Sequence, residues 1–234
     1  MIWTFLQISL TIVMLLHTSI LDLKYREVDP KTWLLYSPLA VFLALNWRQV
    51  ILPLYLYSFA TSVGVSYLFY RFSLIGGADV IAMFLVAISN PEVPSLILRG
   101  LTLLGAEPIV VLLYTSLSIS VITLYNVFRN LRLSKELPKG SKFKILVSGT
   151  RIKVRDFLKS KFMFPLTQVN EDGSLTFRYT FEIDEDDGEW RRFFSELVRQ
   201  GKISEDSYIW VSWGVPVIPF MLLGYLISVI LGFP

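Results

Sequence analysis

The chain has 234 residues, of which 53% are hydrophobic and 18% charged, with a formal charge of +3. That balance excludes an ordinary soluble domain and points to a lipid bilayer. Zero cysteines exclude a disulfide framework and thiol catalysis, and the single histidine leaves any metal site to carboxylates and any Ser-His-Asp triad to His17. The basic residues are too few in excess and too scattered for a nucleic-acid partner.

In chain order, Ile2 to Leu21 is an uncharged run of the length that crosses a hydrocarbon core of about 30 Å as a helix. It lacks the basic start and small-residue cleavage site of a removable signal, so it is expected to stay as a membrane span. Trp33 to Trp47 contains Pro38 and spans only if Thr32 and the turn after Pro30 start it. Val50 to Tyr70 is a third span, closed by Arg71. Leu74 to Ser89 is a fourth, interrupted by Asp79 and delimited by Asn90-Pro91. Ser95 to Ala106 is too short to cross and reads as a surface or re-entrant helix. Pro108 to Phe128 is a fifth span and Tyr208 to Phe233 a sixth, its Pro216 and Pro219 tolerated where neighbours satisfy the freed carbonyls.

The expectation is thus an all-α polytopic bundle of about six transmembrane helices, with a small β-containing cytosolic domain between helices 5 and 6. Lys24, Arg26 and Lys31 follow the first span, Arg71 the third, and Arg129 with Arg132 the fifth. If six helices alternate, these cations share one side, and Arg48, Arg99, Glu92 and Glu107 lie on the other. The excess of lysine and arginine in cytoplasmic loops then places both termini outside. The expected division is a membrane domain over 1–134, a soluble cytosolic domain over 135–207 and a final transmembrane helix over 208–234.

Residues 135–207 carry 14 of the 22 basic residues and 13 of the 19 acidic ones. Lys144 to Val147 and Leu175 to Ile183 favour short strands, with Asp172-Gly173 as a turn before the second. Asp184 to Glu189 reads as an acidic loop, and Trp190 to Arg199 as an amphipathic helix with Phe193, Phe194, Leu197 and Val198 inward.

Two carboxylates stand out in the membrane portion. Asp22 is at the cytosolic end of the first span, and Asp79 follows Gly76-Gly77-Ala78 at the cytosolic start of the fourth. An ionisable group at such depth is costly and faces a partner or a water-filled cavity. Two neighbouring aspartates cannot comfortably both ionise, so the pair can share a proton. Such a pair suits peptide hydrolysis: one carboxylate takes a proton from water while the other, protonated, polarises the scissile carbonyl. No cysteine, histidine, metal or cofactor is needed. The alternative readings are a cap on the first helical turn for Asp79 and an ordinary interfacial acid for Asp22.

The run Asp22-Leu23-Lys24-Tyr25-Arg26-Glu27-Val28-Asp29-Pro30, followed by Gly76-Gly77-Ala78-Asp79, resembles the two signatures of the type IV prepilin peptidase family. It is closest to the archaeal branch that processes preflagellins (archaellins) and other pilin-like precursors. The six-span order is similar too. The resemblance implies that Asp22 and Asp79 form the catalytic dyad of a membrane aspartic endopeptidase and that Gly76, Gly77 and Ala78 shape the backbone of its active site. The common family form is Gly-x-Gly-Asp; here alanine precedes the aspartate. Bacterial relatives often add a cysteine-bearing cytosolic region and N-methylate the new terminus, and neither those cysteines nor a glycine-rich cofactor loop is present, so methyl transfer is not expected.

The implied partners are the lipid bilayer and precursors whose short basic leader precedes an apolar helix, cut on the cytosolic side. Glu27 and Asp29 are candidate contacts for the leader's lysine or arginine, by charge complementarity; the alternative is two solvated loop acids, with Asp29-Pro30 starting the next helix. His17, five positions before Asp22, is on a different helical face and reads as an interhelical hydrogen bond or packed imidazole. The Asp184 to Asp187 run lacks the alternating ligands and terminal glutamate of a calcium loop and reads as a hydrated turn. Two other functions compete: a small ion-coupled transporter using the same two acids, and a noncatalytic filament-assembly scaffold.

Overall fold

In the computed structural model, residues 2–72, 74–97, 105–133, 137, 142–170, 175–178 and 185–232 are described. Most of the Ser95 to Ala106 segment with Arg99, the Asp172-Gly173 turn, the strand expected beyond Arg178, and Asp184 lie outside them. The chain divides into two compact units, residues 1–119 with 216–234 and residues 120–215.

The first unit is helical. Helix α1 (Ile2–Tyr25) is followed by α2 (Pro30–Tyr36), a 3₁₀ turn (Ser37–Ala40), α3 (Val41–Asn46), α4 (Leu52–Arg71), α5 (Gly77–Ser89), α6 (Glu107–Leu131), which runs on into the second unit, and later α10 (Val217–Leu231). Three of these, α1, α4 and α6, are long and apolar enough to cross a membrane. The six long spans expected from hydropathy therefore reduce to three among the described residues, and each difference has a local cause. Trp33 to Trp47 is broken at Ser37–Ala40, where Pro38 lacks the N–H that a continuous helix needs and its ring opposes the preceding turn. The fourth is the 13-residue α5, begun only after Gly76. The sixth is the 15-residue α10, because Tyr208–Trp213 is not helical but a strand.

The bundle core is built from Met14 and Leu15 of α1, Met83 and Val86 of α5, and Ile218, Met221 and Tyr225 of α10, all 3% exposed or less. In lipid, apolar side chains gain little by meeting one another, so close backbone approach and buried hydrogen bonds hold such helices together. Both devices are present. Ser58, Ser62 and Ser66 are buried at four-residue spacing on α4; Ser58 Oγ donates to the Ala106 carbonyl at 3.2 Å and accepts the Ile109 N–H at 2.9 Å. Beside them Phe59 meets Phe84 of α5 edge-on at 5.7 Å. On α10, a Cβ built on Gly224 would stand 2.6 Å from the backbone nitrogen of Thr115, so only glycine lets α10 and α6 come this close.

Buried amides and hydroxyls form a network at one end of the bundle. Asn90, just past α5, takes a hydrogen bond from the Tyr225 hydroxyl at 2.8 Å and donates to Thr11 at 3.1 Å. Gln7 donates to the Glu92 carbonyl at 3.0 Å and accepts from Asn46 at 2.9 Å. Glu107, placed by hydropathy in a loop, is buried at the start of α6 and accepts from Ser228 of α10.

The second unit carries α7 (Lys142–Ser148), β1 (Gly149–Lys153), α8 (Val154–Lys159), β2 (Met163–Pro165), β3 (Thr167–Val169), β4 (Leu175–Phe177), α9 (Asp187–Arg199) and β5 (Tyr208–Trp213). One antiparallel sheet has the order β1-β5-β2, and β3 pairs with β4 in a second. Strand β5 is central, with Ile152 opposite Ile209 and Pro165 opposite Val211. Its alternation serves two cores: Ile209 and Val211 join Phe157, Phe194 and Leu197, while Trp210 joins Ile145, Leu146 and Leu166. That burial on both faces makes the stretch as apolar as a membrane span, which is why hydropathy alone merges it with α10.

Lys144 to Val147, expected as a strand, is the end of α7; a short apolar run has no period that separates the two states. On α9, Phe194 and Leu197 are buried as the periodicity requires and Val198 packs beside them, but Phe193 is 45% exposed. The acidic run is largely taken up in structure. Asp186 caps α9 through the Gly188 N–H at 2.7 Å, Asp187 accepts from the Phe162 N–H and pairs with Arg191, and Glu185 binds Arg178 at 2.6 and 2.9 Å.

Gly224→Val is expected to destabilise the helical unit by about 1–3 kcal/mol, since the added methyls have no room against Thr115. A thermal midpoint in detergent equal to the wild-type value would contradict that close approach.

Candidate active site

Asp22 lies in the last turn of α1 and is 9% exposed; Asp79 lies in the first turn of α5 and is 8% exposed. Both belong to the helical unit, in which α1 packs on α10 and on α5. They are at the opposite end of these helices from the Asn90 network: 11 residues separate Asp22 from Thr11 and Asp79 from Asn90, about 16 Å of helix in each case.

Each carboxylate has the start of a helix in its surroundings. Asp79 Oδ2 accepts the Gly76 N–H at 2.8 Å, and the Asp79 N–H donates to the Gly76 carbonyl at 3.2 Å. The capping role considered for Asp79 is thus present in this structure. The backbone of Ile218, in the first turn of α10, contributes to the electrostatic surroundings of Asp22. The first N–H groups of a helix have no partner within it, and the aligned peptide dipoles leave that end partly positive. A nearby carboxylate is stabilised there by roughly 0.3–2 kcal/mol, which offsets part of the cost of burying it.

The two acids differ in one respect. Asp22 Oδ2 is buried without a hydrogen bond from the protein. Leaving a buried acceptor open costs about 1–3 kcal/mol, and reactive groups are among the places where proteins retain such a cost. The charge of Asp22 acts on Asp79, and the charges of both act on Arg26.

Arg26 ends α1. Its φ of 58° is in the left-handed region, and its N–H donates to the Asp22 carbonyl at 2.9 Å, closing the last turn. A residue with a Cβ bears roughly 1–2 kcal/mol in that conformation, where glycine bears none. The side chain is half-buried. Burial pulls the guanidinium's pKa down, and the charges of Asp22 and then Asp79 oppose this. In the sequence Arg26 marks the chain's orientation and belongs to the run that begins at Asp22. The signal that marks it is its place one turn after Asp22.

The other expected site residues are distributed as follows. Gly76 has φ −79° and ψ 161°, a conformation open to any residue, and a Cβ there would stand 3.5 Å from Asp79 Oδ2. Gly77 is exposed, with the Tyr70 ring 3.7 Å from where its Cβ would be, and Ala78 is half-buried against the core. Backbone strain therefore does not demand either glycine. Glu27 and Asp29 are exposed, outside the buried pair; Asp29 caps α2 by accepting the Lys31 N–H at 2.7 Å. His17 makes a 2.9 Å hydrogen bond with the Tyr36 hydroxyl across to α2, as its position on another helical face implied. Among the described residues no three His, Cys, Asp or Glu side chains gather as metal ligands would.

Two buried aspartates on apolar helices are what an aspartic-type membrane hydrolase would need, and comparison with known families gives that class. Residues 9–124 match the Type IV leader peptidase family, and residues 141–233 match the Archaeal Peptidase A24 C-terminus Type II. No curated protein matches the chain. The chain belongs to the archaeal A24 family of type IV leader peptidases, and that membership supports an aspartic-peptidase activity in a membrane protein. The first match includes Asp22 and Asp79; the second covers most of the β-containing unit and α10.

Gly76→Ala is expected to keep the thermal midpoint within the equivalent of about 0.5 kcal/mol of wild type, because the added methyl meets nothing closer than an ordinary contact. A loss well beyond 1 kcal/mol would show that the space beside Asp79 is not open.

Proposed function

We propose that the protein is an endopeptidase that removes the short basic leader from preflagellin and other pilin-like precursors at the cytosolic membrane face, with Asp22 and Asp79 as its catalytic pair. The observation that carries this reading is the burial of two aspartates at one end of the helical unit, Asp79 on the Gly76 N–H and Asp22 with an oxygen left open. Family membership supports the class of reaction; the leader and its residues are inferred from charge and placement.

In the proposed reaction the ionised carboxylate takes a proton from a water molecule, whose oxygen attacks the scissile carbonyl carbon. The protonated carboxylate donates to the carbonyl oxygen. Collapse of the tetrahedral species breaks the C–N bond, with a proton passing to the leaving amine. Asp22, with its open Oδ2, suits the water-activating role, and Asp79, already hydrogen-bonded to Gly76, suits the role that polarises the carbonyl. A water-poor site strengthens both interactions.

The proposed topology keeps six membrane segments. Helices α1, α4 and α6 cross on their own, α5 and α10 cross with the help of flanking residues, and α2, the 3₁₀ turn and α3 make a broken sixth. Domains follow the expected division, except that Tyr208–Trp213 belongs with the soluble unit, which faces the cytosol; both termini face outward. Because the chain has no cysteine, a single Lys31→Cys variant tests this: an impermeant maleimide should label it in inside-out vesicles and not in intact cells. Glu27 is the better placed of the two candidate leader contacts, since Asp29 is engaged at the start of α2.

Asp22→Asn and Asp79→Asn are each expected to lower cleavage of a peptide with a basic leader and an apolar helix by at least about a thousandfold at unchanged folding. Retained cutting by either variant would remove that residue from the pair and return the transporter and scaffold readings. In the same assay, Glu27→Lys should raise KM for the basic leader and have little effect on a leader with neutral residues in place of the basic ones. Equal effects on both substrates would exclude a leader contact at Glu27.

A further inference from the structure

Charge in the second unit is divided along the chain. Residues 120–155 hold nine lysines and arginines and one acid, Glu136, whereas residues 156–215 hold seven basic and twelve acidic residues. The positive part begins where α6, a helix long and apolar enough to cross a membrane, comes to its end. Arg129 and Arg132 are exposed there beside the exposed rings of Tyr125 and Phe128, and the Arg129 guanidinium is 5.9 Å from the centre of the Tyr125 ring. Aromatic rings and cations at the end of an apolar helix are the residues of a lipid–water boundary.

The fold brings later cations to that same end. Buried Asn130 donates to the Gly149 carbonyl at 2.6 Å and to the Leu146 carbonyl at 3.2 Å, and Arg129 donates to Thr150 Oγ1 at 2.7 Å. Strand β1 therefore starts at the last turn of α6, and Arg151 is only about 7 Å along it from Gly149. Among the described residues β1 is an edge strand. Its Arg151 and Lys153 lie 4.6 and 5.8 Å from the centre of the exposed Tyr208 ring. Lys153 and Arg155 share one carboxylate, Asp206, at 2.8 and 3.3 Å, so two cations meet a single anion. Orientation of the span needs only the cations beside it, and charge of either sign keeps an edge strand from pairing with another chain. Neither need explains why cations twenty or more residues past α6 are all of one sign and are folded back to its end.

We propose that the end of α6 and the edge strand β1 form a docking surface for the anionic headgroups of membrane phospholipids, holding this side of the second unit on the leaflet where α6 emerges. The span supplies the placement and the cations the attraction. A leaflet of phosphate-bearing headgroups draws each nearby lysine or arginine, and the pull falls off over about 10 Å at moderate salt. This goes beyond the peptidase reading and holds whichever residues cut the precursor.

The test uses the full-length protein in detergent micelles, titrated with fluorescent phosphatidylglycerol and, separately, with phosphatidylcholine carrying the same label. Phosphatidylglycerol should bind at least about tenfold more tightly at low salt, and added salt should remove most of the difference. Arg132→Gln and Arg151→Gln should each weaken phosphatidylglycerol about fivefold and leave phosphatidylcholine unaffected, and Arg151→Lys should bind as wild type does. Arg129 and Lys153 stay in place, because their bonds to Thr150 and Asp206 belong to the structure of the unit. Arg199→Gln removes an exposed cation that pairs with Glu196 on α9, and it should bind phosphatidylglycerol with wild-type affinity. A thermal midpoint without lipid checks the folding of each variant. Should Arg151→Gln unfold, Arg132→Gln and the comparison of the two lipids carry the test. Equal affinity for the two lipids would overturn the proposal, as would a loss in Arg199→Gln as large as in Arg132→Gln. Displacement of the lipid by an equimolar oligonucleotide would also overturn it, since the surface would then serve a soluble polyanion.

Discussion

Burying two carboxylates in a helical bundle is the constraint to which the rest of the membrane unit answers. Neither acid can be left in an apolar medium without compensation, and the compensation comes from where helices begin. Asp79 sits in the first turn of α5 on the Gly76 N–H, and the backbone at Ile218, in the first turn of α10, contributes to the electrostatic surroundings of Asp22. Helix α10 starts after β5 and Pro216 and packs along α1. Helix α5 begins at Gly77, with Asp79 in its first turn.

The far end of the unit meets the same requirement with neutral groups. Asn90, Thr11, Gln7, Asn46 and Tyr225 satisfy one another across α1, α3, α5 and α10, and Ser228 satisfies Glu107 across α10 and α6. Such networks specify one register, because sliding a helix by a residue would break several bonds without water to replace them. The tight passage of Gly224 past Thr115 adds a steric limit to the same helix. Helix α10 is thus held by hydrogen bonds toward its C-terminus and by the close passage of Gly224.

The second unit shows a different way of burying apolar sequence. Tyr208–Trp213 is central in its sheet and covered on both faces, so it leads directly into α10 as a continuous apolar stretch. The charged residues around it are used locally: Glu185 with Arg178 and Trp190, and Asp187 with Arg191. A run that reads as a solvated acidic loop is, over Glu185 to Asp187, the cap and brace of α9.

Sequence alone determined the apolar, membrane character of the chain, the long helices α1, α4 and α6, the amphipathic α9, and the two aspartates as acids out of place in apolar runs, because composition, helical period and an isolated charge in an apolar run are local properties. It also carried the family likeness, in short motifs that survive without a fold. Tertiary structure decided what depends on partners far along the chain. Whether 208–213 is strand or span depends on β1 and β2; whether Glu107 is a loop acid or a buried one depends on Ser228. Hydropathy reports how much a segment avoids water, and it is silent on which protein group takes water's place.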